Sequence, residues 1–238
     1  MKPFEEIDHE VTPTGQVLRF MHHDGDYHIL IDEEELMSTR AVHSESELAR
    51  RTCVDLTGVP RVLIGGLGLG FTLRAALDVL PKTAGVVVAE VFECVVRWNH
   101  EHLPDLQGEA LRDPRLTIAQ CDVWDALTSS GPKPGFDVIM LDVDNGPNAT
   151  CFDSNARLYS ERGLKRIQRA LRPGGLLAVW ATDPDRTFER RLRRSGFDAE
   201  TQMVRARGDR GCKHYLFLAR LGSGPRRGRQ KAGTRGSR

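Results

Sequence analysis

The sequence predicts a doubly wound α/β domain, Rossmann-like, with a mostly parallel seven-stranded sheet and a small N-terminal β-hairpin region ahead of it. Three observations predict this. From Arg61 onward, short apolar runs alternate with helical stretches, the rhythm of strands buried on both faces of a parallel sheet. The first of those runs enters the glycine-rich turn Gly65-Gly66-Leu67-Gly68-Leu69-Gly70, and a helical stretch leaves it. Ahead of Arg61 the pattern is instead two short strands around Asp24-Gly25, a hairpin turn signal.

Taken in order, Val17–Met21 and Tyr27–Ile31 are the two hairpin strands, and a third short strand includes Leu36. A helix starts at Ser44, where Ser44-Glu45-Ser46-Glu47 reads as a capping box, and runs to about Leu56 before Gly58 and Pro60. Val62–Ile64 is the first strand of the large sheet, and Thr72–Leu80 is a helix stopped by Pro81. Gly85–Ala89 is the second strand and Val91–Leu103 the second helix. Leu116–Gln120 and the almost wholly apolar Phe136–Leu141 are the third and fourth strands. Leu158–Leu171 is a helix closed by Arg172-Pro173-Gly174-Gly175. Leu176–Trp180 is the fifth strand, and Asp185–Ser195 is a helix ended by Gly196. Thr201–Arg205 and His214–Ala219 flank Gly208-Asp209-Arg210-Gly211 and add an antiparallel edge. The chain is thus expected to divide into an N-terminal meander (1–43), a ligand-binding α/β domain (44–221) and a tail (222–238).

Composition excludes several classes. With 39% hydrophobic and 28% charged residues the chain is an ordinary globular one, and it has no apolar run long enough to span a bilayer. The acidic start MKPFEEIDHE lacks an apolar signal segment. Cys53, Cys94, Cys121, Cys151 and Cys212 are scattered without a C-x-x-C pair, which reads as reduced thiols of a cytoplasmic protein. His22, His23, His28 and His43 match no common ligand spacing, so no metal is expected. The tail holds Arg226, Arg227, Arg229, Lys231, Arg235 and Arg238 with no acid, and it is expected to be disordered. Without it the remainder is mildly acidic, which gives no electrostatic case for a nucleic-acid face. The tail alone suits RNA, DNA or anionic lipid, and a solvated tail without a partner is its plainer reading.

Four motifs carry the candidate chemistry. In the glycine turn, Gly65, Gly66, Gly68 and Gly70 let the chain turn sharply and a ligand approach the backbone. A dinucleotide site wants G-x-G-x-x-G, but counted from Gly66 the sixth position is Phe71. The G-x-G-x-G found here suits a nucleoside without a pyrophosphate; a tight turn with no ligand is the alternative. Glu90 ends the second strand, where a carboxylate can accept both ribose hydroxyls. Asp122 follows the third strand and is placed to bond an adenine amino group or to cap the next helix. Asp142 and Asp144 stand at the end of a central strand, a pair suited to binding an amine and taking its proton. The run Asp144-Asn145-Gly146-Pro147 is also turn chemistry. Trp98 and Trp124 are available to stack on adenine, with core packing as the default for such residues.

Together these residues resemble class I S-adenosylmethionine-dependent methyltransferases, most closely the spermidine synthase-like branch. The resemblance covers residues 15 to 219 and is strongest in Val62–Arg74, Asp113–Asp122, Phe136–Asp142 and Leu171–Gly175. It implies that Gly66–Gly70 and Glu90 hold the nucleoside, that Asp122 holds the adenine and that Asp142 is the proton acceptor. It also implies a homodimer, an assembly such enzymes often form. The chain departs from the family in three places. Leu69 stands where those enzymes usually have the aspartate that holds the aminopropyl amine. Asp142-Val143-Asp144 replaces Asp-Ser-Ser-Asp. Around Leu36–Glu47 there are Met37 and His43 and no tyrosine. The expectation is a transferase using S-adenosylmethionine or its decarboxylated form. The loss at Leu69 points to the intact donor and to methyl or related alkyl transfer to a small-molecule amine. Polyamine aminopropyl transfer is the alternative. A non-catalytic nucleotide-binding protein and a nucleic-acid methyltransferase using the basic tail are the further ones.

Overall fold

A computed structural model describes residues 3–103, 109–129, 135–143, 145–148 and 152–222, with the side chains of residues 129 and 153 excepted. Two sheets organise these residues. The smaller is antiparallel in chain order: β1 (Glu5–Val11), β2 (Val17–His23), β3 (Asp26–Ile31) and β4 (Glu34–Ser38). Between β2 and β3, Asp24 and Gly25 have φ of 52° and 89°. Two successive positive φ values make the mirror-image turn whose twist matches a hairpin. The sequence pattern does not foretell β1, because its run EEIDHEV has no fully buried position; it pairs with β2 through the backbone and through the Glu6–Arg19 ion pair.

The large sheet has seven strands, as expected: β5 (Arg61–Gly65), β6 (Gly85–Glu90), β7 (Leu116–Gln120), β8 (Phe136–Leu141), β9 (Leu171–Ala181), β10 (Phe197–Arg207) and β11 (Arg210–Leu221). Their order is β10-β11-β9-β8-β5-β6-β7. The five strands β5 to β9 run parallel and β10–β11 is an antiparallel hairpin at one edge. The helices α1 (His43–Cys53), α2 (Phe71–Val79), α3 (Glu93–His102), α4 (Val123–Ser129), α5 (Glu161–Ala170) and α6 (Arg186–Arg194) lie among them, with 3₁₀ turns at Ala110–Arg112 and Asp153–Tyr159. Val62, Leu63 and Ile64 of β5 are wholly buried, which is why that strand reads as an unbroken apolar run.

Three expected local features are corrected. The capping box does not form: α1 starts at His43, its N-cap Val42 makes no side-chain bond, and Ser44 and Glu45 turn inward instead. Glu47 pairs with Arg51 at 2.8 Å. Arg172–Gly175 does not close a helix, because α5 ends at Ala170 and these residues open β9. Its start is instead set at Ser160, whose hydroxyl accepts the Gly163 N–H at 3.1 Å. The four described cysteines are free. Among the described residues, no helix is long and apolar enough to cross a membrane. The tail from residue 223 and its basic residues lie outside the described residues.

The two sheets are tied together at α3. Asp8 of β1 accepts from the Arg97 guanidinium at 2.8 Å and from the Trp98 indole at 2.7 Å. These bonds hold the Asp8 carboxyl down at about 2. Trp98 is fully buried and stacks on Phe20 of β2 at 5.2 Å. It is a core residue and takes no part in the cavity described next.

Candidate functional site

The sheet order reverses at β5, which lies between β8 and β6. The crevice at the carboxyl ends of such strands is where open α/β sheets hold ligands. Here it opens into a cavity of about 280 Å³. The glycine turn forms its floor, and the small sheet supplies Leu18, Ile29 and Met37 as a cover.

Gly66 is required twice over. Its φ is 85°, and a Cβ there would lie 2.4 Å from the Asp142 carbonyl oxygen. Gly68 has φ of 51°, and a Cβ there would lie 2.5 Å from the Met37 sulfur. Both line the cavity. Gly65 and Gly70 do not: Gly65 ends β5 against Val123, and Gly70, with φ of 79°, is the N-cap of α2. They shape the turn without facing the cavity.

Glu90 is 6% exposed and reaches the turn from the end of β6. Its Oε2 accepts the Leu67 N–H and its Oε1 the Phe92 N–H, each at 2.9 Å. Burial raises its pKa and the backbone donors lower it. The carboxylate thus fixes the turn backbone while remaining part of the cavity wall. Of the two roles the sequence leaves open, Asp122 takes the helix-capping one and lies where the other would be exercised. Its Oδ1 accepts the Trp124 N–H at 2.7 Å at the start of α4, and the residue also lines the cavity. Its Oδ2 accepts from Arg157 at 2.6 Å. Trp124 itself lies under the guanidinium groups of Arg157 and Arg166, with centroid distances of 5.0 and 4.3 Å, and is not in the lining.

Asp142 stands at the end of β8 and accepts the Thr72 hydroxyl at 2.6 Å. Desolvation raises its carboxyl to about 6. Asp144, its expected partner, lies outside the described residues. The second acid beside Asp142 is Glu45, on the first turn of α1. Burial and then the charge of Asp142 raise Glu45 to about 7. The Ser44 hydroxyl donates to Glu45 Oε2 at 2.6 Å and lies 2.8 Å from His214 Nδ1. His214 packs edge-on against Trp180 at 4.7 Å, and Trp180 is a lining residue.

Sequence reasoning missed Glu45, Thr72 and Trp180. A signal for Glu45 was present: it shares the buried face of α1 with Leu48, Ala49 and Thr52, at helical spacing. An acid on an inward face calls for a reason, and the capping-box pattern offered one only for its neighbours Ser44 and Glu47. Across the described lining, the ionisable side chains with acid or base character are Glu45, Glu90, Asp122 and Asp142, joined by the thiol of Cys121 and by no lysine, arginine or histidine. Such a cavity favours a cationic ligand.

No family model matches the chain. In sequence it is 35% identical over 127 residues to the polyamine aminopropyltransferase of Aeropyrum pernix, covering 53% of this chain and 39% of that relative. It is 29% identical over 184 residues to the polyamine aminopropyltransferase of Synechococcus sp. (strain JA-2-3B'a(2-13)), covering 75% of this chain and 54% of the relative. The chain therefore spans about half the length, or less, of these curated relatives. In structure it superposes on the spermidine synthase of Thermotoga maritima with a TM-score of 0.72 at 19% identity, over 93% of this chain and 74% of that one. A spermidine synthase in complex with the transition-state analogue AdoDATO gives a TM-score of 0.70 at 19% identity, over the same shares. The resemblance read from the sequence is borne out in these relatives and in the fold.

Proposed function

We propose that this chain, which has the spermidine synthase-like form of the S-adenosylmethionine-dependent methyltransferase fold, is a polyamine aminopropyltransferase that uses decarboxylated S-adenosylmethionine. The observation that carries the reading is the charge of the lining. An intact donor would bring its carboxylate into a cavity whose charged side chains are all acids. A decarboxylated donor brings an ammonium and a sulfonium and meets no like charge. Its relatives' names point the same way. The expectation of methyl transfer, drawn from Leu69 alone, gives way for these two reasons.

In this reading Gly66 and Gly68 seat the nucleoside, Glu90 takes its ribose and Asp122 its adenine. Gly65 and Gly70 only shape the turn. Asp142 accepts a proton from the incoming amine, for which a carboxyl raised to about 6 is better matched than an ordinary one. The freed amine attacks the methylene next to the sulfonium. The carbon–sulfur bond breaks, its electron pair stays on sulfur, and methylthioadenosine leaves as a neutral thioether. Thr72 holds Asp142 in place through its hydroxyl. No metal is called for in this chemistry. The reading keeps residues 1–43 as cover, 44–221 as the ligand-binding unit and 222–238 as an appendage. It takes the cytoplasm as the setting and a homodimer as the assembly.

The test is a thermal-shift and product assay on the purified chain. Decarboxylated S-adenosylmethionine should stabilise it more than S-adenosylmethionine does, and with a short polyamine it should yield methylthioadenosine. Formation of S-adenosylhomocysteine from the intact donor would reinstate methyl transfer, and donor binding without turnover would point to a non-catalytic protein.

A further inference from the structure

Leu69 is wholly buried in the core, so the glycine turn offers no carboxylate at that position. The donor of the proposed reaction still carries an ammonium at the end of its three-carbon arm, and that charge needs a partner inside the cavity. Glu45 supplies a carboxylate from a different element. It comes from the first turn of α1, is 6% exposed, and lines the cavity beside Asp142. The two acids are linked at their bases, since the Thr72 hydroxyl donates to Asp142 Oδ2 at 2.6 Å and lies 3.5 Å from the Glu45 carbonyl oxygen. Trp180 stands at the same end, and its buried indole N–H has no hydrogen-bond partner among the described residues. An unanswered donor there is an independent sign of a place built for a ligand.

We propose that Glu45 is the substrate-contacting residue that receives the terminal ammonium of the donor's aminopropyl arm, in place of the acid missing at Leu69, with Ser44 as its positioning residue. The assignment rests on the aminopropyl reading above. Ser44 fits the positioning role because its hydroxyl donates to Oε2 and also touches His214 Nδ1, so β11 braces the carboxylate from behind. The titratable groups around Glu45 are Asp142 from β8 and, behind Ser44, His214 from β11, which burial holds below its usual value and Asp183 opposes. Glu90 and Asp122 face the same cavity from β6 and the loop after β7. With Asp142 near 6 and Glu45 near 7 in the free protein, the negative charge of Glu45, the second of the pair, develops as pH rises past neutrality. Donor affinity should therefore climb between about pH 6 and pH 8.

Titration calorimetry on the full chain tests this with two probes, decarboxylated S-adenosylmethionine and methylthioadenosine, which lacks the arm. Glu45→Gln should weaken the first by about ten- to a hundred-fold. It should leave the second within about twofold and flatten the rise with pH. An unchanged donor affinity, or an equal loss for both probes, would overturn the assignment. If Glu45→Gln does not fold, Glu45→Asp carries the test, since it keeps the charge but draws it back and must show the same selective loss. A wild-type chain that binds methylthioadenosine but not the decarboxylated donor sinks the aminopropyl reading itself; variants that show no selective loss of a donor the wild type binds sink only Glu45.

Discussion

Asp142 and Glu45 place two ionisable carboxyls in one wall, and both pay an electrostatic cost for it. Unfolded, they titrate at ordinary values of 3.8 and 4.5; folded, they lie at about 6 and about 7. A carboxyl raised in the folded state contributes stability that is complete below its unfolded value and lost as pH climbs through its folded one. The melting temperature of the ligand-free chain should therefore fall between about pH 4 and pH 7, and Glu45→Gln should remove part of that slope. A flat profile in the wild type would contradict the burial described here. Asp142→Asn separates base from wall: turnover should drop by about a hundred-fold or more, while methylthioadenosine binding persists. If that variant kept full rate in a steady-state assay, another group would have to take the proton.

At the scale of the element, the glycine turn is set by contacts as much as by φ. A Cβ on Gly66 would strike the Asp142 carbonyl at 2.4 Å, backbone against backbone. Gly66→Ala should cost about 2–3 kcal/mol or more in urea unfolding and abolish nucleoside binding. On α6, Asp185 accepts the N–H groups of Thr187 and Phe188 at 2.8 and 2.9 Å. Asp185→Ala should lose about 1 kcal/mol without touching ligand affinity. These elements also mark what a reader of the sequence can see. The apolar strands β5 and β8 are legible because both their faces are covered, and Glu90 follows from its place at the end of such a strand. β1 is not legible, because a half-exposed edge with only Ile7 and Val11 apolar among four acids and a histidine carries too sparse an apolar alternation. Glu45 escaped because a local pattern, Ser followed by Glu, explained its neighbours, whereas its own role depends on Asp142, 97 positions on by their sequence numbers. Contacts across that distance leave no local trace.

Across the whole molecule, a parallel sheet provides the crevice and a separate antiparallel sheet roofs it, so the cavity exists only where the two meet. The succession of strands along the chain was legible, including the antiparallel hairpin at the edge, whereas their order across the sheet was not. The roof was legible as a small meander but not as a cover, since nothing in Met37 announces that its sulfur will lie against Gly68. Removing residues 223–238 should leave donor affinity unchanged in the same calorimetric titration; any affinity for nucleic acid that vanished with them would belong to the tail. The all-acid lining also has a bearing on how a catalytic cycle would end. Before transfer the donor is a dication, and afterwards the spent nucleoside carries no charge at all, so the wall that draws it in has little left to hold it by. Added salt should then slow loading while hardly affecting departure, and the thioether by-product should be a feeble, salt-insensitive competitor of the next donor molecule.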